Sequence, residues 1–282
     1  MKLCGHTMGT PNYDLAGAIG LFADLGLEGL EVRLAEDGLL RPSDLEDEAI
    51  LAQAATLAEQ HGLVYACLTP YYQDFATDGA AAASLAGLAR VCRAAARLDR
   101  PHVRVLSGGW PAGDLPHDCV WQRTREGLQT AAAAAGELGV TLALENHIGT
   151  LTMAAEDTVR FVEEVGSPHL DIIYDPYFVY LAAVTAGRDG RRALSEATAL
   201  QAPYVRHVHV KDMTPTLPRQ TCLVGEGELP WPELIGDLAA RGYRGFLSDE
   251  YEKHWRPELP DASIAMRLHA HRLGSWIAAA QG

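Results

Sequence analysis

Short apolar runs rich in Val, Ile and Leu alternate with longer Ala- and Leu-rich stretches along the whole chain. The short runs predict strands at 2–6, 29–33, 63–69, 102–107, 140–145, 170–175, 204–210 and 245–250, because runs of this length and composition suit buried strands. The longer stretches, such as 44–60, 80–98, 119–138 and 156–165, are long enough and suitably patterned for helices. Several of these end at a glycine just before the next strand, as in EQHG-LVYA, GELG-VTLAL and ARGYRG-FLSDE, which suits the glycine preference at helix C-termini.

Eight such units in 282 residues, with no linker or low-complexity break, predict an α/β fold of one domain, residues 1–282, built as a single (β/α)8 TIM barrel. A doubly wound dinucleotide-binding sheet would need a G-x-G-x-x-G turn after its first strand, and none is present there. The one dense glycine pattern, Gly225-Glu226-Gly227, comes late and opens no phosphate-binding helix.

In such a barrel the chemistry gathers where strands end, so polar residues closing apolar runs are the ones to collect. Strand five closes at Glu145 (TLALE), strand six at Asp175 (DIIYD), strand seven at His209 (VRHVH) and strand eight at Glu250 (FLSDE). A carboxylate at a strand end is ordinarily a helix cap or a solvated loop residue. Four consecutive strands ending in metal-capable side chains on one rim point instead to a shared site. Three oxygens and one nitrogen suit a single divalent ion, Mn²⁺ first, with Mg²⁺, Co²⁺ or Zn²⁺ as alternatives. Without an ion, that cluster would push at least one carboxyl pKa upward.

The net charge of −14 and pI near 5.2 repel phosphate backbones, which argues against a nucleic-acid partner. Five scattered cysteines form no C-x-x-C pair, so neither a disulfide framework nor a zinc–thiolate site is expected. The opening MKLCGHTMGT has no signal-like apolar stretch, and nothing approaches the roughly 20 apolar residues of a membrane span. The expectation is a cytoplasmic protein with no membrane partner.

The motifs LALENH (142–147), YDP (174–176), HVHVKD (207–212), VGEGELPW (224–231) and GYRGFLSDEYEKHW (242–255) together resemble the xylose isomerase-like barrels, the sugar phosphate isomerase/epimerase group. The resemblance implies that Glu145, Asp175, His209 and Glu250 are the metal ligands and that Glu145 and Glu250 are the catalytic pair. Epimerising or isomerising beside a carbonyl needs a group that removes a carbon-bound proton and one that returns it. It further implies a small carbohydrate or cyclitol substrate, an enediolate intermediate and a possible homo-oligomer. An alternative outcome is elimination of a β-substituent from a 3-keto sugar or glycoside by a lyase or dehydratase. A further alternative, an endonuclease IV-like DNA phosphodiesterase, would need more histidines and a basic surface.

Two positions depart from the family pattern. Phe178 stands where many members carry the histidine of D-x-x-H, and Pro215 where ketose epimerases carry a substrate-binding arginine. Ordinary ketohexose epimerisation is therefore in doubt, and the pair Tyr177 and Phe178 either walls a less polar substrate or packs in the core.

Side chains two apart on a strand share a face, so His207, His209 and Lys211 look the same way. His207, one pleat deeper, either supports its neighbour or touches substrate. Lys211 either binds a substrate oxygen or pairs with an acid nearby. His147 and His6 are expected to line the pocket, with Glu31 and Arg33 either joining them or forming an internal ion pair. Glu226 is placed at the substrate by its motif or in a turn by loop shape. Trp110, with Tyr71 and Trp255, offers rings for stacking on a sugar's apolar face.

Overall fold

The alternation along the chain becomes β1 (Lys2–His6), β2 (Gly29–Arg33), β3 (Val64–Thr69), β4 (His102–Val105), β5 (Leu142–Glu145), β6 (Leu170–Tyr174), β7 (Val205–Val210), a short antiparallel pair β8 (Asp212–Met213) and β9 (Thr221–Cys222), and β10 (Phe246–Asp249). The computed structural model describes residues 1–110, 115–217 and 219–281. Eight parallel strands close in the order β1-β10-β7-β6-β5-β4-β3-β2, the (β/α)8 topology expected. Around them lie α1 (Leu15–Asp24), α2 (Glu48–Gln60), α3 (Asp78–Arg97), α4 (His117–Glu137), α5 (Ala155–Val165), α6 (Pro176–Thr185), α7 (Gly190–Gln201), α8 (Trp231–Ala240) and α9 (Ala262–Gln281).

Most element ends fall within about two residues of the sequence-based bounds, and two of the differences have a clear local cause. The helix expected from residue 44 begins at Glu48, because the Asp47 carboxylate accepts the N–H groups of Ala49 and Ile50 and caps it there. β4 stops at Val105 rather than 107: its pairing with β5 ends at Val105↔Leu144, and Gly108 then turns the chain with φ of 70°.

Side chains alternate between two very different environments. Leu30, Val32, Leu68, Val103, Val105, Leu142, Leu144, Ile172, Val208 and Leu247 belong to the large apolar cluster shared with the helices. Burying each such side chain contributes about 1.5–3 kcal/mol, so the sheet–helix layer holds the barrel closed. The other parity points into the barrel, where Cys67, Ala143 and Ile173 form a small separate apolar cluster. In the same interior the fully buried polar residues include His6, Glu31, Thr69, Glu145, His207, His209 and Ser248, with Arg104 almost as buried. Buried ionisable groups are costly unless paired, and an interior this polar marks the end of the barrel where function lies.

His102, at the start of β4, has a buried Nδ1 without a partner, and burial, reinforced by His207 and Arg206, depresses its pKa to about 4. The folded state therefore resists the proton that the unfolded chain accepts near pH 6.5. Stability is expected to be flat above about pH 7, to fall as pH drops from about 6.5, and to level off below about 4, losing at most about 3 kcal/mol to this residue. Urea unfolding across that range should show a shallower slope for His102→Leu than for the unaltered protein; parallel profiles would exclude this role.

Candidate metal centre

β5 ends on Glu145, and Asn146 follows it. Asn146 clamps the chain after β6: its Nδ2 donates to the Asp175 carbonyl and its Oδ1 accepts the Asp175 N–H, both at 2.8 Å. Asp175 also caps α6, its Oδ1 accepting the Tyr177 N–H at 3.0 Å with Pro176 in the first helical turn. Its Oδ2 is buried and 2.8 Å from Lys211 Nζ, yet accepts no aligned hydrogen bond. β7 supplies His209, and Glu250 stands directly after β10.

One ligand-capable atom from each of Glu145, Asp175, His209 and Glu250 lies within 4.8 Å of those of the other three. Their strands are neighbours in the barrel, in the order β5-β6-β7-β10. All four residues are buried. Three carboxylates, one imidazole and an under-bonded Asp175 oxygen match the donor set of a divalent ion, so this buried group could hold one.

The surrounding charges hold the set together. His209 Nδ1 is 3.0 Å from Glu145 Oε1 and 3.3 Å from Glu250 Oε2, while its Nε2 is 3.0 Å from Glu31 Oε1. Burial disfavours its charged form, but the carboxylates of Glu250, Glu31 and Glu145 outweigh burial and hold its pKa well above the ordinary histidine value. A metal taking that nitrogen must therefore displace a proton. Lys211 Nζ lies 2.6 Å from Glu250 Oε2 as well as beside Asp175, and both acids keep the ammonium charged against burial.

Arg104, from β4, donates through Nη1 to Glu145 Oε2 at 3.0 Å, and Nη2 donates to the Pro70 carbonyl at 3.0 Å. Burial pushes the Glu145 pKa up, but Arg104 and then His209 overcome it and hold the carboxyl well below the usual range. The upward push that such a cluster predicts falls on Asp175, raised to about 7 by burial and by Glu250 and Glu145, against the pull of Lys211. Among the described residues, Arg104 and Lys211 are the permanent cations paired with Glu145, Asp175 and Glu250.

The other candidates divide. His207 donates through Nε2 to Glu31 Oε2 at 2.7 Å and is fully buried beneath His209. His6 accepts the Met8 N–H on Nδ1 at 3.0 Å and turns Nε2 toward Glu31 at 3.5 Å. His147 packs edge-on to Phe178, with ring centroids 4.5 Å apart, and Phe178 in turn lies under Lys211 at 4.4 Å. Phe178 is thus a buried wall between a rim histidine and the cluster.

Glu226 is not brought to the cluster. It is half-exposed and pairs with Arg272 at 3.2 Å, because the GEG loop is gathered by Asp212, whose carboxylate accepts the N–H groups of Gly225, Gly227 and Leu229. Trp110 stacks on His117 at 4.0 Å and is half-exposed, on the edge of a groove of about 860 Å³ beside α4 and α5. Tyr71 is nearer the site: its ring lies 4.7 Å from the Arg104 guanidinium, and its hydroxyl accepts from Arg33 Nε at 3.1 Å. The guanidinium of Arg33 also stacks on Trp255 at 5.1 Å.

Sequence reading passed over Arg104 and Asn146. The signal for the first was present, a charged residue in the middle of the strand run HVRV. Asn146 lies in the LALENH motif, but nothing local signals its two-point clamp, which joins residues 29 apart.

The model of the xylose isomerase-like TIM barrel family matches residues 19–270. A D-psicose 3-epimerase of Enterocloster bolteae is 24% identical over 188 residues, 59% of this chain and 58% of that protein. An inosose dehydratase of Geobacillus thermodenitrificans is 23% identical over 149 residues, 47% of each. The matched stretch thus spans only about half the length of these curated relatives. Among solved structures, a xylose isomerase-like TIM barrel protein from Mycobacterium smegmatis, in complex with magnesium, superposes with a TM-score of 0.75 at 14% identity, covering 100% of this chain and 98% of the other. The closed barrel and the family model covering most of the chain agree: the protein belongs to the xylose isomerase-like TIM barrel family.

Proposed function

We propose that this protein is a divalent-metal-dependent isomerase or epimerase of a keto sugar or cyclitol, working through an enediolate, with Glu145 and Glu250 as its proton carriers. The reading is carried by one observation: Glu145 and Glu250, from the two strands that flank those of Asp175 and His209, converge with them in a buried group of metal-ligand composition. Relatives that act as epimerase and dehydratase support the same chemistry. A bound divalent ion, held by Glu145, Asp175, His209 and Glu250, would supply Lewis-acid polarisation of the substrate carbonyl and its adjacent hydroxyl. Manganese is the ion proposed first, with magnesium close behind given the magnesium-bound barrel of the same fold.

The chain's own residues would do the rest. One glutamate takes the proton from carbon beside the carbonyl, and the other returns one to complete isomerisation or epimerisation. Arg104 keeps the Glu145 carboxylate ionised and fixes its orientation. The Lys211 ammonium, 2.6 Å from Glu250, places positive charge where oxyanion character develops. Phe178 and Tyr177 keep water from one side of the cluster, and Phe178 leaves no histidine there to meet a substrate hydroxyl. A second outcome, loss of a β-substituent as in a dehydratase, follows from the same proton removal and is favoured by the inosose dehydratase relative.

Incubation of the manganese-loaded protein with a panel of ketoses, inososes and 3-keto glucosides in D₂O is expected to place deuterium at the carbon beside the ketone. Chelation should abolish exchange and added manganese restore it. Exchange that persists at full rate under chelator would reject the metal-dependent reading, and no exchange across the panel would reject enolisation itself.

A further inference from the structure

Glu31 is a fully buried acid inside the barrel that the proposed chemistry does not use. It sits in β2, across the barrel interior from β7, and its backbone lies at a register irregularity between Leu30 and Glu31 in the pairing with β3. Such a bulge re-aims a side chain. Both of its oxygens are engaged: Oε1 accepts from the Thr69 hydroxyl at 2.5 Å and meets His209 Nε2 at 3.0 Å, while Oε2 meets His207 Nε2 at 2.7 Å. No lysine or arginine is paired with it among the described residues, so imidazoles and a hydroxyl take the place of a counter-ion.

The two nitrogens of His209 therefore face opposite ways. Nε2 points at Glu31, and Nδ1 points into the group formed with Glu145, Asp175 and Glu250. An imidazole that ligates through one nitrogen carries its proton on the other, and a carboxylate facing that proton fixes the tautomer and the ring plane. We propose that Glu31 is a positioning residue for the metal centre, holding His209 with its proton on Nε2 so that Nδ1 is the ligating atom. His207 and Thr69 act one step further out, holding the Glu31 carboxylate in place between them. The inference rests on the metal-centre reading above and adds a residue from the opposite wall of the barrel to it.

Calorimetric titration with manganese chloride alone tests it. Glu31→Gln should bind Mn²⁺ roughly 10- to 100-fold more weakly than the unaltered protein, with a native-like circular dichroism spectrum under chelator to show that it folds. In the unaltered protein loaded with Mg²⁺, ¹⁵N NMR should find the proton of the His209 ring on Nε2 and none on Nδ1, a readout that needs no variant should Glu31→Gln fail to fold. Equal Mn²⁺ affinity in Glu31→Gln, or a proton on Nδ1 with Nε2 bare, would overturn the assignment to Glu31 while leaving the metal centre standing. If the unaltered protein binds no Mn²⁺, or Asp175→Asn binds it equally well, the metal-centre reading fails first and the positioning role falls with it.

Discussion

Glu145→Gln and Glu250→Gln are each expected to lower deuterium exchange from D₂O into substrate by about 10²- to 10⁴-fold, the range for removing a positioned acid or base. The amide keeps the size of the side chain but can neither take nor return a proton at neutral pH. Each change also removes a ligand-capable oxygen, so a loss of rate could reflect lost metal. Asp175→Asn separates the two effects. It weakens the same donor set without removing either proposed proton carrier, so raising Mn²⁺ to saturation should recover most of its exchange. The two glutamine variants should stay slow at any manganese concentration. Near-normal exchange by either of them at saturating metal would remove that glutamate from the proposed chemistry and leave the fold and the metal centre untouched.

Arg104→Met should lower stability by about 3–5 kcal/mol at pH 7 in the presence of chelator, because it leaves the Glu145 carboxylate buried without its guanidinium. The pH dependence has a definite sign. Glu145 has a depressed pKa in the folded protein, with burial overcome first by Arg104 and then by His209. The stabilisation from this pair is therefore fully present above the ordinary glutamate pKa of about 4.3 and is lost as pH falls through the lower folded value. Without Arg104, burial is opposed mainly by His209, and Glu145 takes up a proton at higher pH. The gap between variant and unaltered protein should thus be widest near neutrality and narrow in acid. Manganese should recover part of the deficit at pH 7, since a cation at the cluster gives the stranded carboxylate a new partner. Urea midpoints at pH 7 and pH 5, with chelator and with manganese, measure all of this. Midpoints equal to those of the unaltered protein under chelator at pH 7 would mean that the ion pair does not hold Glu145 in place. Arg104→Lys is not expected to restore full stability, because Arg104 grips Glu145 and the Pro70 carbonyl at once through a planar fork.

The sequence by itself determined the barrel and the rim. Strand runs, glycine helix ends and the absence of any linker are local properties, and period-2 alternation fixes which residues share a face, so the strand run alone groups His207, His209 and Lys211. The four strand-end residues were legible for the same reason: in a parallel barrel the chain always leaves a strand at the same rim, so position in the run translates into position in space.

What tertiary structure decided are the pairings across the barrel. Glu31 and His209 are 178 residues apart, Arg104 and Glu145 are 41 apart, and which imidazole nitrogen faces which acid depends on strand register and on the irregularities between Leu30 and Glu31 and between Ile172 and Ile173. Sequence left Lys211 open between a substrate oxygen and an acid, and packing put it against Asp175 and Glu250. It also offered Glu226 to the substrate, whereas the Asp212 carboxylate gathers that loop and Arg272 holds the Glu226 side chain at the surface. A linear pattern reports which face a side chain takes, while the distance to a partner on another strand is set only when the barrel closes and the helices pack around it.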